Sequence, residues 1–351
     1  MAWTINNGKL YFNSVLYTGN GGNGHTISGV GFQPDFTWLK GRSSALAHMW
    51  VDAVRGVNTV INSNTSNAET TFNCLDPWNA DGFVLSNNSN FNGNGVTFVA
   101  WNWLAAGTAP SNTYAVKVVS DGGNKYRFDD FGASAVTLEI SEGGTFTFDQ
   151  SDSSNNGHPL RFSTTSDGTH GGGSEYTTGI TVSGTPGQAG AKTVIVVAAS
   201  APTLYYYCTV HSGMGGQANT PVTNSFSNFA GSIQSNISPN TTSRFSIVSY
   251  TGTGSNATVG HGLGVAPRMI IVKNRSASEH WMVGTTSLGW TKNLVLSLSN
   301  AFATDSSIWN NTTPTNSVFS VGNSGAVNTS SQNYIAYCFA EKQGYSKFGS
   351  Y

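Results

Sequence analysis

Short apolar runs separated by polar turns recur along the whole chain, and none of them keeps a helical period. FTWLK from Phe36 and MIIVK from Met269 are each entered through a proline, Pro34 and Pro267. FVAWNW from Phe98 and YIAYCF from Tyr334 alternate with period two, as half-buried strands do. A proline ahead of a strand withholds its donor where the ladder has not yet begun. No stretch of a dozen residues shows helical spacing without interruption by Gly, Asn or β-branched residues. The pattern predicts an all-β protein built from sandwich or jelly-roll units.

The pattern also repeats. YTGNGGNGHTISGVGFQPDFTWLKGR from Tyr17 returns as YTGTGSNATVGHGLGVAPRMIIVKNR from Tyr250. The offset of 233 is the same for Tyr17 and Tyr250, Pro34 and Pro267, and Arg42 and Arg275. Further on, DGFVL at Asp81 faces SVFSV at Ser317 and FVAWNW faces YIAYCF, both at offset 236. So small a drift is what loop insertions produce, and internal repetition is the strongest fold signal a sequence offers. The predicted organisation is a first β-sandwich at 1–106, a different β-domain at 113–216, a polar extended linker at 217–242 and a second β-sandwich at 243–351. The approach to each repeat, FNSVLY and FSIVSY, is echoed by KFGSY at the chain end, so the last tyrosine is expected to open a third repeat or to pair with a neighbouring subunit. The paired cations Lys40/Arg42 and Lys273/Arg275 read as strand-end ion pairing or hydrogen bonding to a turn, in preference to a binding role.

Charge narrows the possible partners. Charged residues make up 9% of the 351, and the formal net charge is −1. Such a chain carries no field that would gather nucleic acid or an anionic membrane. The 12% of aromatic residues supplies cores and excludes a disordered polyelectrolyte. No apolar run reaches the length of a membrane span. The three cysteines, Cys74, Cys208 and Cys338, are scattered and odd in number, so no disulfide framework is implied. Low charge with exposed aromatics predicts a homo-oligomer, a trimer or a larger assembly.

One segment carries chemistry. Cys208, His211 and Met214 follow one another directly after an apolar strand, a thiol, an imidazole and a thioether at C-x2-H-x2-M spacing. A blue-copper centre needs this trio and a second histidine. His158, which opens a strand in the same segment, is the candidate. The competing reading makes Cys208 and Met214 buried filler and the two histidines turn caps. His170, in THGGG, reads as a loop residue. The segment resembles the cupredoxins, Greek-key β-sandwiches with a C-terminal Cys–His–Met loop, and its short loop looks like the amicyanin variant. By that resemblance His158, Cys208, His211 and Met214 would ligate copper. The Gly-rich SDGTHGGGSEYTTG departs from a compact cupredoxin.

Other catalytic signatures are missing from the sequence. The glycine clusters lack the Gly-Lys-Ser/Thr end of a phosphate loop, no nucleophile elbow or zinc-helix motif occurs, and carboxylates are sparse. A non-enzymatic role is therefore expected. The repeats, through Tyr17–Asn20, Gly31–Arg42, Asp81–Phe83, Phe98–Trp103 and their counterparts, resemble modules of tail-fibre-like proteins of marine and cyanobacterial phages. That resemblance implies a virion-surface structural protein, in a tail fibre or capsid appendage, contacting other virion proteins and a host-surface glycan. Two alternatives stay open: a copper protein for electron transfer or metal handling that is anchored by the repeats, and a capsid decoration protein.

Overall fold

Strands dominate the computed structural model, which describes residues 5–349. They fall into two compact units: residues 5–107 with 233–349, and residues 108–232. The repeats are therefore not two separate domains, as the sequence led us to expect. They are the halves of one unit, and the middle segment interrupts it.

In the first half the large sheet runs in the order Phe12–Thr18, Thr97–Trp103, Phe36–Gly41, Met49–Asp52, Thr59–Asn62, Thr70–Thr71. The second half repeats this order with Phe245–Thr251, Asn333–Phe339, Met269–Asn274, Met282–Thr285, Lys292–Val295 and Ala303–Thr304. Register agrees residue by residue. Trp101 lies opposite Ser14 and Trp38, and Tyr337 opposite Ile247 and Ile271. The Tyr17 ring stacks on Phe98 at 5.1 Å and its hydroxyl donates to the Phe91 carbonyl at 2.7 Å. Tyr250 does the same with Tyr334 at 5.2 Å and the Val327 carbonyl at 2.7 Å.

Each large sheet has two buried faces. In the first half one face packs on the small sheet His25–Ile27, Gly82–Leu85, Leu75–Asn79, with Leu39, Val51, Val60 and Ala100 against Ile27, Phe83 and Leu85. The opposite face, including Phe36, Trp50 and Ile61, meets Phe245, Ile271, Val283 and Tyr337 of the second half in a shared core. The layers thus run small sheet, large sheet, large sheet, small sheet. A strand buried on both faces favours a continuous apolar run over strict alternation, which accounts for FTWLK and MIIVK.

A buried polar network crosses this seam. Asp52 accepts from Arg55 Nε at 2.6 Å and from the Tyr337 hydroxyl at 2.7 Å, with Asp52 and Arg55 side chains fully buried. Burial alone would weaken the guanidinium's hold on its proton, but Asp52, Tyr337 and Glu69 outweigh it and push the value above the ordinary arginine range. Glu69 in turn takes a two-pronged pair from Arg275, at 2.8 and 3.0 Å. Lys40 reaches the Leu46 carbonyl at 3.4 Å and Lys273 the Ala277 carbonyl at 3.3 Å. Lys40, Lys273 and Arg275 thus serve structure.

The interrupting unit is a sandwich of two sheets. One runs Asn124–Phe128, Ser111–Ser120, Thr145–Asp149, Lys192–Val196, Ile180–Ser183; the other Leu138–Glu139, Gly216–Asn219, Leu204–Cys208, Leu160–Ser163. Ser111–Ser120 pairs parallel to Thr145–Asp149, a crossover within the sandwich. Tyr114, Phe128, Phe148 and Tyr206 fill the interior. Its limits exceed the expected 113–216, and the expected linker at 217–242 is divided between the two units. Phe226 and Phe229 are buried in the sandwich, where Phe229 lies 5.9 Å from Phe128, because two aromatics in an otherwise polar stretch gain most by plugging a core. Ser235–Asn240 pairs with Phe245–Thr251 as a strand of the duplicated unit. The chain-end tyrosine lies outside the described residues. Among the described residues no helix is long and apolar enough to cross a membrane.

Two outcomes test this core. Asp52→Ala leaves the Arg55 charge buried without its carboxylate and should cost about 3–5 kcal/mol in denaturant unfolding. The second concerns His261, which is fully buried, accepts from Leu263 N at 3.2 Å and lies 3.2 Å from the Thr315 carbonyl. Burial pushes its pKa down to about 4. Above pH 6.5 the ring is neutral in both folded and unfolded chains. As pH falls from 6.5 towards 4, the unfolded chain gains a proton that the folded one refuses, so stability should drop by up to about 3 kcal/mol. His261→Gln should flatten that part of the stability–pH curve, as urea unfolding at a series of pH values would reveal.

Candidate functional site

The strand Leu204–Cys208 ends at the rim of the sandwich with Cys208 fully buried. It pairs with Leu160–Ser163 so that Leu160 stands opposite Cys208, which brings His158, two residues earlier, to the same rim. The turn after Cys208 returns His211 beside it. His158 Nδ1 lies 3.9 Å and His211 Nδ1 3.8 Å from Cys208 Sγ. The imidazole centroids are 4.6 Å apart, and all three donor atoms lie within 4.8 Å of one another. Burial, with His211 alongside, lowers the His158 pKa, which favours the neutral ligating form.

These distances can be set against a metal's requirements. Donor distances of about 2.0 Å for nitrogen and 2.3 Å for sulfur, at angles near 120°, give a nitrogen–sulfur edge of about 3.7 Å. Both sulfur–nitrogen edges at Cys208 lie close to that value, and the three donor atoms are near enough to one another to share a single metal ion. Met214 is fully buried in the same loop and lines an open depression together with His211 and His170. The sequence thus brings His158, Cys208 and His211 into one cluster, with Met214 on the adjoining wall. Cys74 and Cys338 are different: burial pushes both thiols well above the ordinary range, and neither belongs to a metal-ligating cluster among the described residues.

The Gly-rich segment, read from sequence as a departure, holds this loop in place. His170 sits in the tight turn Gly168–Gly171 with Nε2 3.0 Å from the Cys208 carbonyl. Asp167 accepts from the Gly213 amide at 2.9 Å, and the Lys125 ammonium donates to the Gly213 carbonyl. Gly168 has φ +55°, and a Cβ there would come within 2.5 Å of the Tyr207 ring, next to Cys208. Sequence reasoning set His170 aside as a loop residue. Gly168 before it and the run Gly171–Gly173 just after it, which permit close backbone approach, were the available signal.

Comparison with protein families finds a match to a domain of unknown function, DUF7483, over residues 7–122 and 218–351. The match spans most of the chain, which therefore belongs to that family. The stretch it skips lies inside the interrupting sandwich and contains His158, Cys208, His211 and Met214. Comparison with curated proteins and with solved structures returns no match.

Gly168→Ala should displace the Tyr207 ring and strain the backbone, lowering the stability of the sandwich by about 1–3 kcal/mol. Calorimetry should show the sandwich transition moving down while that of the duplicated unit stays in place.

Proposed function

We propose that this DUF7483 member is a structural protein of a phage-type surface appendage, in which the duplicated unit is the scaffold and the inserted sandwich holds one copper ion. The observation that carries the copper reading is the buried Cys208 sulfur flanked by two imidazole nitrogens at 3.9 and 3.8 Å. His158, Cys208 and His211 would hold the ion, and Met214 would offer a further, weaker thioether donor. Bound copper would supply one-electron redox chemistry. The parallel crossover and two-sheet strand order agree with the cupredoxin resemblance of the same segment. Cys208 is shut off from water while His211 is exposed, so an electron partner would approach from the His211 side.

The appendage reading draws support from the rest of the chain. Its near-neutral composition, its many short strands and its phage-like repeat lines suit a rigid surface module that keeps company with other virion proteins, as a trimer or larger assembly. Recognition of a host glycan by neutral polar and aromatic loops belongs to this reading. A place on the virion surface, in a fibre or as capsid decoration, would be read by antibody labelling of particles in the electron microscope. Labelling absent from purified particles would remove the appendage part and leave the copper module standing.

Copper(II) added to the purified chain should give an intense blue thiolate-to-copper band and one tightly held ion per chain by metal analysis. Cys208→Ala should abolish the colour and leave the duplicated unit folded. A colourless complex that takes zinc in preference to copper would overturn the copper assignment.

A further inference from the structure

The metal cluster draws its donors from two segments, His158 ahead of one strand and the loop after Cys208 at the end of another. A third strand touches both. Among the described residues, Asn124–Phe128 has a strand partner on one side only, Ser111–Ser120. Its burial alternates, with Tyr126 and Phe128 turned into the sandwich. An edge strand keeps a row of backbone groups that no ladder uses. At Tyr126 the neighbouring loops take them up. Its amide donates to the Met214 carbonyl at 2.9 Å, and its carbonyl accepts from the Ala135 amide at 2.8 Å.

The side chain of the same residue reaches the other donor segment. Tyr126 is fully buried, and its hydroxyl donates to the His158 carbonyl at 2.9 Å. A buried tyrosine hydroxyl needs an acceptor, whereas a phenylalanine fills an aromatic interior without one. The His158 carbonyl has a second donor. Gln150, also buried, gives it Nε2 at 2.9 Å while its Oε1 takes the Leu160 amide at 3.1 Å. This side chain thus spans Pro159, which has no N–H of its own. The His158 amide donates to the Asn155 carbonyl at 2.8 Å. Both backbone groups of His158 are therefore fixed by the sandwich itself.

We propose, resting on the metal site described above, that Tyr126 is its positioning residue. The Tyr126 hydroxyl sets where the His158 imidazole stands, and the amide sets where the Met214 loop stands, so one residue spaces the two around Cys208. Neither bond involves an atom that would ligate the metal, so Tyr126 acts through the backbone of the ligands. Groups that orient ligands in this indirect way are typically worth about 10- to 100-fold in metal affinity. Another tyrosine of the sandwich supplies the contrast. Tyr114 is equally buried, and its hydroxyl donates at the same 2.9 Å to the Ser227 carbonyl, which belongs to neither donor segment.

The test compares Tyr126→Phe with Tyr114→Phe in the full chain. Each variant keeps its ring and loses one buried hydroxyl, so calorimetry should show similar small losses of sandwich stability. Copper(II) affinity, measured by competition with a chelator, should fall about tenfold in Tyr126→Phe and stay at the wild-type level in Tyr114→Phe. The thiolate-to-copper band should shift in Tyr126→Phe alone, because His158 is then free to change its angle at the metal. Gln150→Met removes the other donor to the His158 carbonyl and should weaken binding by a similar factor, which covers the case in which Tyr126→Phe does not fold. Cobalt(II) is the second probe, since its thiolate band reports the same donors. A wild-type chain that binds cobalt and gives no blue copper colour sinks the copper assignment and leaves the Tyr126 comparison in force. Unchanged affinity for both ions in Tyr126→Phe and Gln150→Met, an equal loss in Tyr114→Phe, or a wild-type chain that binds neither ion would overturn the proposal.

Discussion

Two large sheets packed face to face hold the duplicated unit together, and much else in it follows from that seam. Phe36, Trp50 and Ile61 from one half and Phe245, Ile271 and Tyr337 from the other make a single core that neither half could close alone. At this seam the Asp52–Arg55 pair loses its water, and it is tolerated because Tyr337 from the opposite half completes its hydrogen bonding. Trp281 adds to the registry, its indole N–H shared by the Asn62 and Thr65 carbonyls across the halves. Apolar packing supplies the adhesion, while the polar contacts penalise any sliding of one sheet over the other. The repeat is therefore best regarded as one domain with internal symmetry.

The symmetry is imperfect. Positions that secure the fold keep the same contacts in both halves: Tyr17 with Tyr250, and Asn92 with Asn328, whose side-chain amides donate to the Ser86 and Gly322 carbonyls at 2.9 and 2.8 Å. Other positions on the facing sheets diverge: Trp38 and Trp103 of the first half correspond to Ile271 and Phe339 of the second. The sandwich shows a similar division of labour. Its aromatic interior keeps two sheets together, and its chemistry is confined to one rim, where a strand end and a short return loop bring thiol and imidazoles within contact.

Much of this could be read from the chain. Period-two alternation in FVAWNW and YIAYCF gave the strands, and the constant offset gave the equivalence of Trp101 and Tyr337. The His158–Cys208–His211 cluster was legible because two of its members lie within four residues and the third stands two residues ahead of a strand. Less legible was the merging of the halves, since alternation reports that a face is buried but not what buries it. The clue lay in FTWLK and MIIVK, which are apolar on both faces. Phe226 and Phe229 were overlooked because their neighbours are polar, and core membership depends on single large side chains rather than on local average. The roles of His170 and Asp167 were out of reach of spacing, for both act on backbone groups about forty residues away.

The sandwich interrupts the chain between the two halves of a domain, and this has a bearing on how the protein folds. Until the sandwich forms, 125 residues of loose chain separate the strands that must meet at the seam. Loop-closure entropy rises only slowly with length, but a long disordered tether exposes two unpaired large sheets to each other's wrong registers and to neighbouring chains. A folded sandwich replaces that tether with a body of fixed end-to-end span. The insert would then act as an internal folding aid. Damage to its core would lower the yield of the duplicated unit without altering a single residue of it.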